Sequence, residues 1–514
     1  MIEKYKRKFS TKYFIFIIIL LGFSYNILFG QSSSTSPYSR FGIGDLQSNS
    51  FVQNLGMGYS GLAVHEPFSI NFTNPASYAS LRLTNFEFGA TSNFTWYEST
   101  GFPAFKTNSS NISYVAIGFP VISGKWGASF GILPFSNVGY EISNNSTLVD
   151  GNNADFLYTG NGGINQFYFG NGINICRNLS IGLNASYLFG SINRVNSIAF
   201  PGLIGYYDTR LTNSTRVADT YFTFGISYSI DSILMDSLKY IGMKKITIIT
   251  SNSNKIVLCK NKDSITIEKP NFTVLSNNYE RLIFTNYTDT FIVNNVNGKL
   301  VVDSLKNMAR AIKIKSDKSF TFAMTASLST KINTHNDSLV ERYINNNGLI
   351  IVHDTTLNNT GIPGNITLPL SIGGGISYRN GYKWLINADV SMQDWSKFSG
   401  ANGNEQLANS LRISAGTQYT PGFLQTKSYF KKITYRFGGY FYKTFLDLKA
   451  TQLNDFGISF GMGLPVYRSI STINLAIQLG QRGTLQNNLI REQYLHLTLG
   501  FSLSDKWFNK YKYD

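Results

Sequence analysis

Charge is scarce in this chain. Only 14% of its 514 residues are Asp, Glu, Lys or Arg, against about 25% in an ordinary soluble domain. Cysteine is scarcer still. Cys176 and Cys259 cannot build a disulfide framework, and no CxxC or Cys/His cluster offers a metal site. Two free thiols are the expectation, with a single disulfide as the alternative. Histidine occurs four times, at His65, His335, His353 and His496, never in an HExxH context. GxSxG, phosphate-loop and dinucleotide motifs are missing as well. The chain is therefore expected to be no enzyme and to need no metal or cofactor. A Ser–His pair around His496 is the one catalytic alternative, and no fixed nucleophile accompanies it. After residue 30, no run is apolar for the roughly 20 residues that a membrane helix requires.

What is present is aromatic and flexible: 39 Phe, 31 Tyr and 46 Gly. Rings and glycine without helical patterning point to a large all-β protein, and a long sheet hides its edges completely only by closing into a barrel. At the N-terminus, Lys4, Lys6, Arg7, Lys8 and Lys12 precede an apolar stretch from Tyr13 to Phe29, with Gly30-Gln31 as a cleavage point. Residues 1–30 are expected to be a secretory signal peptide; a retained anchor helix is the alternative. With no Cys at that point, a lipoprotein anchor is not expected. The formal charge of +16 is spread along the chain without a basic stripe, which argues against nucleic acid. Outer-membrane lipid and lipopolysaccharide are its expected charged neighbours, a solvated surface being the plainer account.

Period-two alternation is the clearest pattern. Leu495, Leu497, Leu499, Phe501 and Leu503 alternate with His496, Thr498, Gly500 and Ser502, and Trp384, Ile386, Val390 and Met392 with Leu385, Asn387, Asp389 and Ser391. Side chains of a strand point to opposite faces. The polar face here is Gly, Ser, Asn and Thr rather than charge, which fits a membrane strand with a polar lumen. Fourteen such strands are expected, at 82–96, 111–121, 125–141, 165–175, 179–192, 218–230, 319–333, 366–379, 383–398, 409–420, 432–445, 454–465, 471–482 and 492–504. An even count suits a bacterial barrel in the outer membrane of a Gram-negative cell. Residues 97–110, 142–164, 193–217 and 334–365 read as long outer loops. The domain order is then a hatch at 31–80, barrel strands at 81–230, an insertion at 231–318, barrel strands at 319–504 and a tail at 505–514.

The insertion is too long to be a structureless loop. Its runs Ile246–Ile249, Ile256–Leu258 and Phe291–Val293 point to a small β-rich or α+β domain on the periplasmic side. A floppy Asn- and Lys-rich segment is the alternative. Docking of a periplasmic protein at 231–318 is the matching partner expectation. Residues 31–80 carry punctuating Gly and Pro but also the apolar anchors Phe41, Ile43, Leu55, Met57, Tyr59 and Leu62. They read as a plug, a plain N-terminal extension being the alternative. Asn74-Pro75 closes this stretch, and Pro75 bars a regular helix from running across it.

The order of these features resembles the FadL family of outer-membrane long-chain fatty-acid transporters, in its Bacteroidetes branch. Asn74, Pro75 and Ala76 match the Asn-Pro-Ala that ends the family's hatch, though Ser77 replaces the usual Gly. IGFPVISGKWGASFGILPF at 117–135, the run from Trp384 to Phe398 and YLHLTLGFSLSDKWF at 494–508 resemble further family stretches. The resemblance implies a hydrophobic small-molecule ligand, a mobile hatch and a lateral exit at a kink in the third strand. Pro134 is the candidate for that kink, since proline removes a ladder hydrogen bond; the other reading is that it marks the strand leaving the membrane. Phe68, Ile70 and Phe72 are candidates for the ligand path, or else plain plug core. A non-transporting barrel, docking through the insertion, is the rival function.

Overall fold

The computed structural model describes residues 36–505 apart from 49, 149–150, 177, 202, 204–205, the non-strand residues of 232–317, 347–348, 401–406, 423–427 and 468. The expected signal peptide and all but the first residue of the expected tail lie outside the described residues. Two compact units emerge: residues 1–230 with 319–514, and residues 231–318.

The first unit holds a two-residue strand, β1 (Asp45–Leu46), one helical turn, α1 (Val52–Leu55), and then the wall. The wall runs β2 (Thr84–Ser99), β3 (Phe102–Ile122), β4 (Trp126–Thr147), β5 (Asn153–Asn174), β6 (Leu179–Ala199) and β7 (Asp208–Asp231). Strands β8 to β14, within 247–302, belong to the second unit. The wall resumes with β15 (Lys318–Ser327) continued by β16 (Thr330–Asn346), then β17 (Leu349–Leu368) continued by β18 (Ser371–Asn380). It ends with β19 (Trp384–Gln393), β20 (Ser410–Tyr419), β21 (Thr434–Leu448), β22 (Thr451–Pro465), β23 (Thr472–Gly483) and β24 (Ile490–Asp505). Neighbours pair in antiparallel fashion and β2 pairs with β24, so the sheet closes. Counting each broken pair once, fourteen strands form the barrel.

The closure leaves its mark on burial. Trp384, Ile386, Val390 and Met392 are exposed on β19 while Leu385, Asn387 and Asp389 are buried, and the outward Phe222, Phe224, Ile226 and Tyr228 do the same on β7. Such a band of large apolar side chains facing outward belongs in lipid. No helix among the described residues is long and apolar enough to cross a membrane.

The structure corrects one expectation. The stretches read as long outer loops are strand for most of their length: β4 and β5 stay paired up to Thr147↔Asn153, and β16 and β17 up to Asn346↔Leu349. Outside the lipid, a ladder needs backbone partners more than an oily face, so Asn, Ser and Thr serve there as well as aliphatics do. The polar composition was mistaken for loop.

The second unit is an antiparallel sheet of seven short strands in the order β10-β9-β8-β14-β13-β12-β11. They span Thr247–Ile249 (β8), Lys255–Lys260 (β9), Asp263–Glu268 (β10), Thr273–Asn278 (β11), Arg281–Asn286 (β12), Asp289–Val296 (β13) and Lys299–Val302 (β14).

Candidate functional site

Residues 36–48 and 50–83 pack against the inward face of the wall. Their inner part, from Phe51 to Leu81, lies on rows of glycine. Gly127 of β4, Gly172 of β5, Gly182 of β6 and Gly225 of β7 stand directly opposite one another across adjacent strands. A Cβ at Gly172 or Gly182 would collide with the backbone of Pro75, one at Gly127 with the carbonyl of Tyr78, and one at Gly225 with Asn74. Glycine weakens a strand, and its recurrence on one face marks a close backbone approach. Here that approach is a six-residue 3-10 helix, Pro75–Ser80, seated on the row. A second seat is made by Gly416 and Gly438, opposite each other on β20 and β21, under Met57 and Gly58.

Polar bonds finish the seat. Asn74 Nδ2 donates to the Leu62 carbonyl at 2.7 Å and to Ser227 Oγ at 2.9 Å, while its Oδ1 caps the helix by accepting from the Ala76 N–H at 3.0 Å. Gly61 and Leu62 N–H donate to Asp389 Oδ2 at 2.6 and 2.9 Å, and the Ile70 N–H donates to Glu87 Oε1 at 2.8 Å. Pro75 thus opens a short helix, a position where its missing N–H costs nothing; the sequence reading foresaw only the extended residue before it. Phe51, Phe72, Tyr114 and Tyr168 stack into one apolar cluster around this base.

His65 sits on the same base. Its Nδ1 lies 2.9 Å from Ser80 Oγ. Burial, reinforced by the Arg379 guanidinium, pushes its pKa down to about 4.

The outer part, Ser36–Gln47, is held differently. Arg482 of β23 donates to Asp45 Oδ1 at 2.9 Å, to Glu492 Oε2 at 2.6 Å and to Ser36 Oγ at 2.5 Å. Ser36 Oγ in turn donates to Glu492 Oε1 at 2.6 Å. Tyr38 Oη donates to the Ile490 carbonyl and accepts from its N–H. Tyr38 and Ile43 join a second apolar cluster with Trp395, Phe398, Phe445 and Leu489. Between the two clusters lie polar cavities of about 230 and 210 Å³. Both are lined by Gln47, Tyr59, Tyr442 and Arg412, whose guanidinium lies over the Tyr59 and Tyr442 rings. His496 lines the larger one and stacks on Tyr494.

The wall is not uniform. Among the described residues, β3 and β4 pair only from Val115↔Ile132 to Ile122↔Trp126. Beyond Ile132, β4 remains paired with β5, with a register shift between Pro134 and Ser136. Its other edge is met by β1, through Asp45↔Asn137 and Leu46↔Ser136. A seam therefore separates the outer limbs of β3 and β4, with β1 paired to the β4 edge. Ser109, Asn111, Ile112 and Pro134 at this seam also line the larger cavity.

Of the residues singled out in the sequence, Asn74, Pro75 and Ala76 come together in the glycine seat, and Pro134 lies at the shift beside the seam. Ile70 is buried against Gly118. Phe72 is mostly packed in the inner cluster but reaches the smaller cavity, and Phe68 is half-buried at the base. Cys176 is a free, exposed thiol, whereas the side chain of Cys259 lies outside the described residues. Sequence reasoning missed the Arg482 cluster and the glycine rows. Inward-facing glycines on four consecutive strands were a signal for the rows; nothing local marks Arg482.

Comparison with solved structures finds other barrels at low identity. The CymD monoaromatic hydrocarbon channel is 10% identical, covering 91% of this chain and 100% of its own, with a TM-score of 0.43. The Pseudomonas putida toluene transporter TodX is 13% identical, covering 91% and 100%, with a TM-score of 0.46. A TodX variant described as a monoaromatic hydrocarbon channel is also 13% identical, covering 88% and 98%, at 0.49. No curated protein matches. The family model of BamG matches residues 11–283 and 301–514, nearly the whole chain apart from a stretch of the insertion that holds β13, and the chain belongs to the BamG family.

Proposed function

We propose that this chain is an outer-membrane barrel through which hydrophobic small molecules, long-chain fatty-acid-like ones among them, pass by movement of the hatch and leave sideways through the wall. The seam between β3 and β4 carries this reading. A closed sheet in lipid satisfies every backbone group from a neighbouring strand. Giving up that pairing along one limb, with a cavity behind it and a hatch strand across it, is costly unless the gap is used. Uptake of a radiolabelled fatty acid by proteoliposomes tests it. A Leu46→Cys/Ser136→Cys disulfide, in a background with Cys176 and Cys259 replaced by Ser, should lock β1 over the seam and stop uptake until reduced. Uptake unchanged by oxidation would refute the route.

A second reading has its own observation. The hatch is seated in backbone contact with the wall and tied by a buried ion cluster, and the insertion forms a compact unit with its own sheet. That suits a plugged barrel serving as a scaffold, with 231–318 holding a periplasmic protein. Two measurements separate the readings: a co-purifying partner that is lost on deleting 232–317, together with no uptake by the full chain in proteoliposomes, favours the scaffold.

A further inference from the structure

The lipid-facing side of the wall carries a trough that starts at the seam. Two cross-strand rows define it. In one, Ser110 of β3 stands opposite Ser92 of β2, followed by Leu497, Ile477 and Phe460 on β24, β23 and β22. In the other, Ile112 stands opposite Ala90, followed by Leu499, Leu475 and Met462. Ser110, Ser92 and Ala90 are small beside the exposed Leu497, Ile477, Phe460 and Met462, so the surface sinks there. The two hydroxyls of the floor, Ser92 and Ser110, hydrogen-bond each other at 2.7 Å, which removes their need for water in a hydrocarbon setting. Leu497, Ile477, Phe460 and Ile112 are exposed around it, and the concavity measures about 870 Å³. Its β3 end is the strand that parts from β4 three residues further on, and Ile112 lines both this trough and the internal cavity.

We infer that this trough is a hydrocarbon-binding site that receives the alkyl chain of a molecule emerging from the seam. The inference rests on the lateral-exit reading and adds where the cargo goes next. A chain passing the β3 edge meets the two rows end-on. They lead it across five strands, away from the opening, before it mixes with bulk lipid.

The experiment uses the full chain in phosphatidylcholine vesicles with a dodecyl diazirine as photoactivatable probe, and adducts are mapped by mass spectrometry. Labelling should concentrate on peptides carrying Ser92, Ile112 and Leu497, in excess over the outward Ile226 of β7. Ala90→Trp with Ser92→Trp, which fills the floor from outside, should cut it about tenfold, the loss expected when a site of roughly 1.4 kcal/mol is removed. Because the filled variant could misfold, a Ser92→Ala variant, which keeps the floor small, must label like the wild type. A diazirine carried on the phospholipid chain should show no preference for the trough. If it shows the same preference, the occupant is ordinary lipid and the inference falls. If neither probe prefers the trough, it falls as well. Locking β1 with the Leu46–Ser136 disulfide tells the two readings apart: uptake that ignores the lock removes the exit route itself, whereas uptake that needs an open seam without trough labelling removes only this site.

Discussion

The two halves of the segment 36–81 obey different physics. The inner half, 51–81, presents backbone to backbone: the Pro75–Ser80 turn lies on four aligned glycines, and Gly58 and Met57 on two more. The outer half, 36–47, adds to its two-residue ladder on β4 a cluster of side chains, Arg482, Asp45, Glu492 and Ser36. Close packing over glycine offers no halfway position, since any added atom must displace main chain. An ion cluster can exchange partners with water or with an incoming polar group. We propose on this contrast that the inner half is a fixed base and the outer half the part that moves; its β1 pairs with the β4 edge at the seam.

The largest effect should come from breaking the base. Gly172→Val or Gly182→Val places a branched side chain where the Pro75 backbone lies. Overpacking of this kind costs about 1–3 kcal/mol where the surroundings can shift, and two strands and a helical turn cannot shift easily. The expected outcome is a barrel that assembles with its hatch expelled, read as protease cleavage within 51–81 of detergent-purified protein. Protection equal to wild type would show that the glycine row is incidental.

Next is the outer latch. Arg482→Met leaves the buried Glu492 and the partly buried Asp45 without their cation, a loss of up to about 3–5 kcal/mol, the cost of breaking a buried pair. The outer arm should detach while the base stays seated. Cleavage should therefore appear within 36–47 but not within 51–81, and a membrane-impermeant dye should leak faster from vesicles bearing the variant. Simultaneous release of both halves would erase the distinction between them.

How much of this was legible beforehand follows from the same contrast. Alternation is a local signal that lipid imposes on every wall strand, so all fourteen strands and the outward faces of β19 and β24 could be read from spacing. Asn74-Pro75 could be picked out because proline acts on its own neighbour, and Ala76 came from the family resemblance; that Asn74 caps a short helix could not be read. The ion cluster could not be read, because Arg482 lies more than four hundred residues from Asp45 and its meaning depends on a fold that joins them. The seam was half legible. Pro134 marked trouble in the ladder, but the partner that leaves is β3, whose limb from Phe102 onward falls mostly in the stretch 97–110 that reads as an outer loop. Long polar stretches such as 142–164 misled, because composition reports solvent and not pairing.

A smaller effect sharpens the account of the base. Asn74→Ala removes a helix cap, worth about 0.5–2 kcal/mol, together with the bonds to Leu62 and Ser227. The hatch should stay seated on its glycines but exchange amide hydrogens faster around Ala76–Ser77. Asn74→Asp should restore the cap but not the donated bonds, and so recover part of the protection.

The smallest effect is one of pH. His65 has a folded-state pKa near 4, against about 6.5 in the unfolded chain. The unfolded state therefore binds the extra proton first as pH falls, and the stability this group contributes is whole above about pH 6.5 and drains away between there and pH 4. Because His65 belongs to the inner base, acid should loosen the segment around Ser80 before it affects the Arg482 latch. His65→Gln should flatten that dependence. Hydrogen exchange at pH 7 and pH 5 measures both, and an outer arm that loosened first would reverse the order in which the two halves let go.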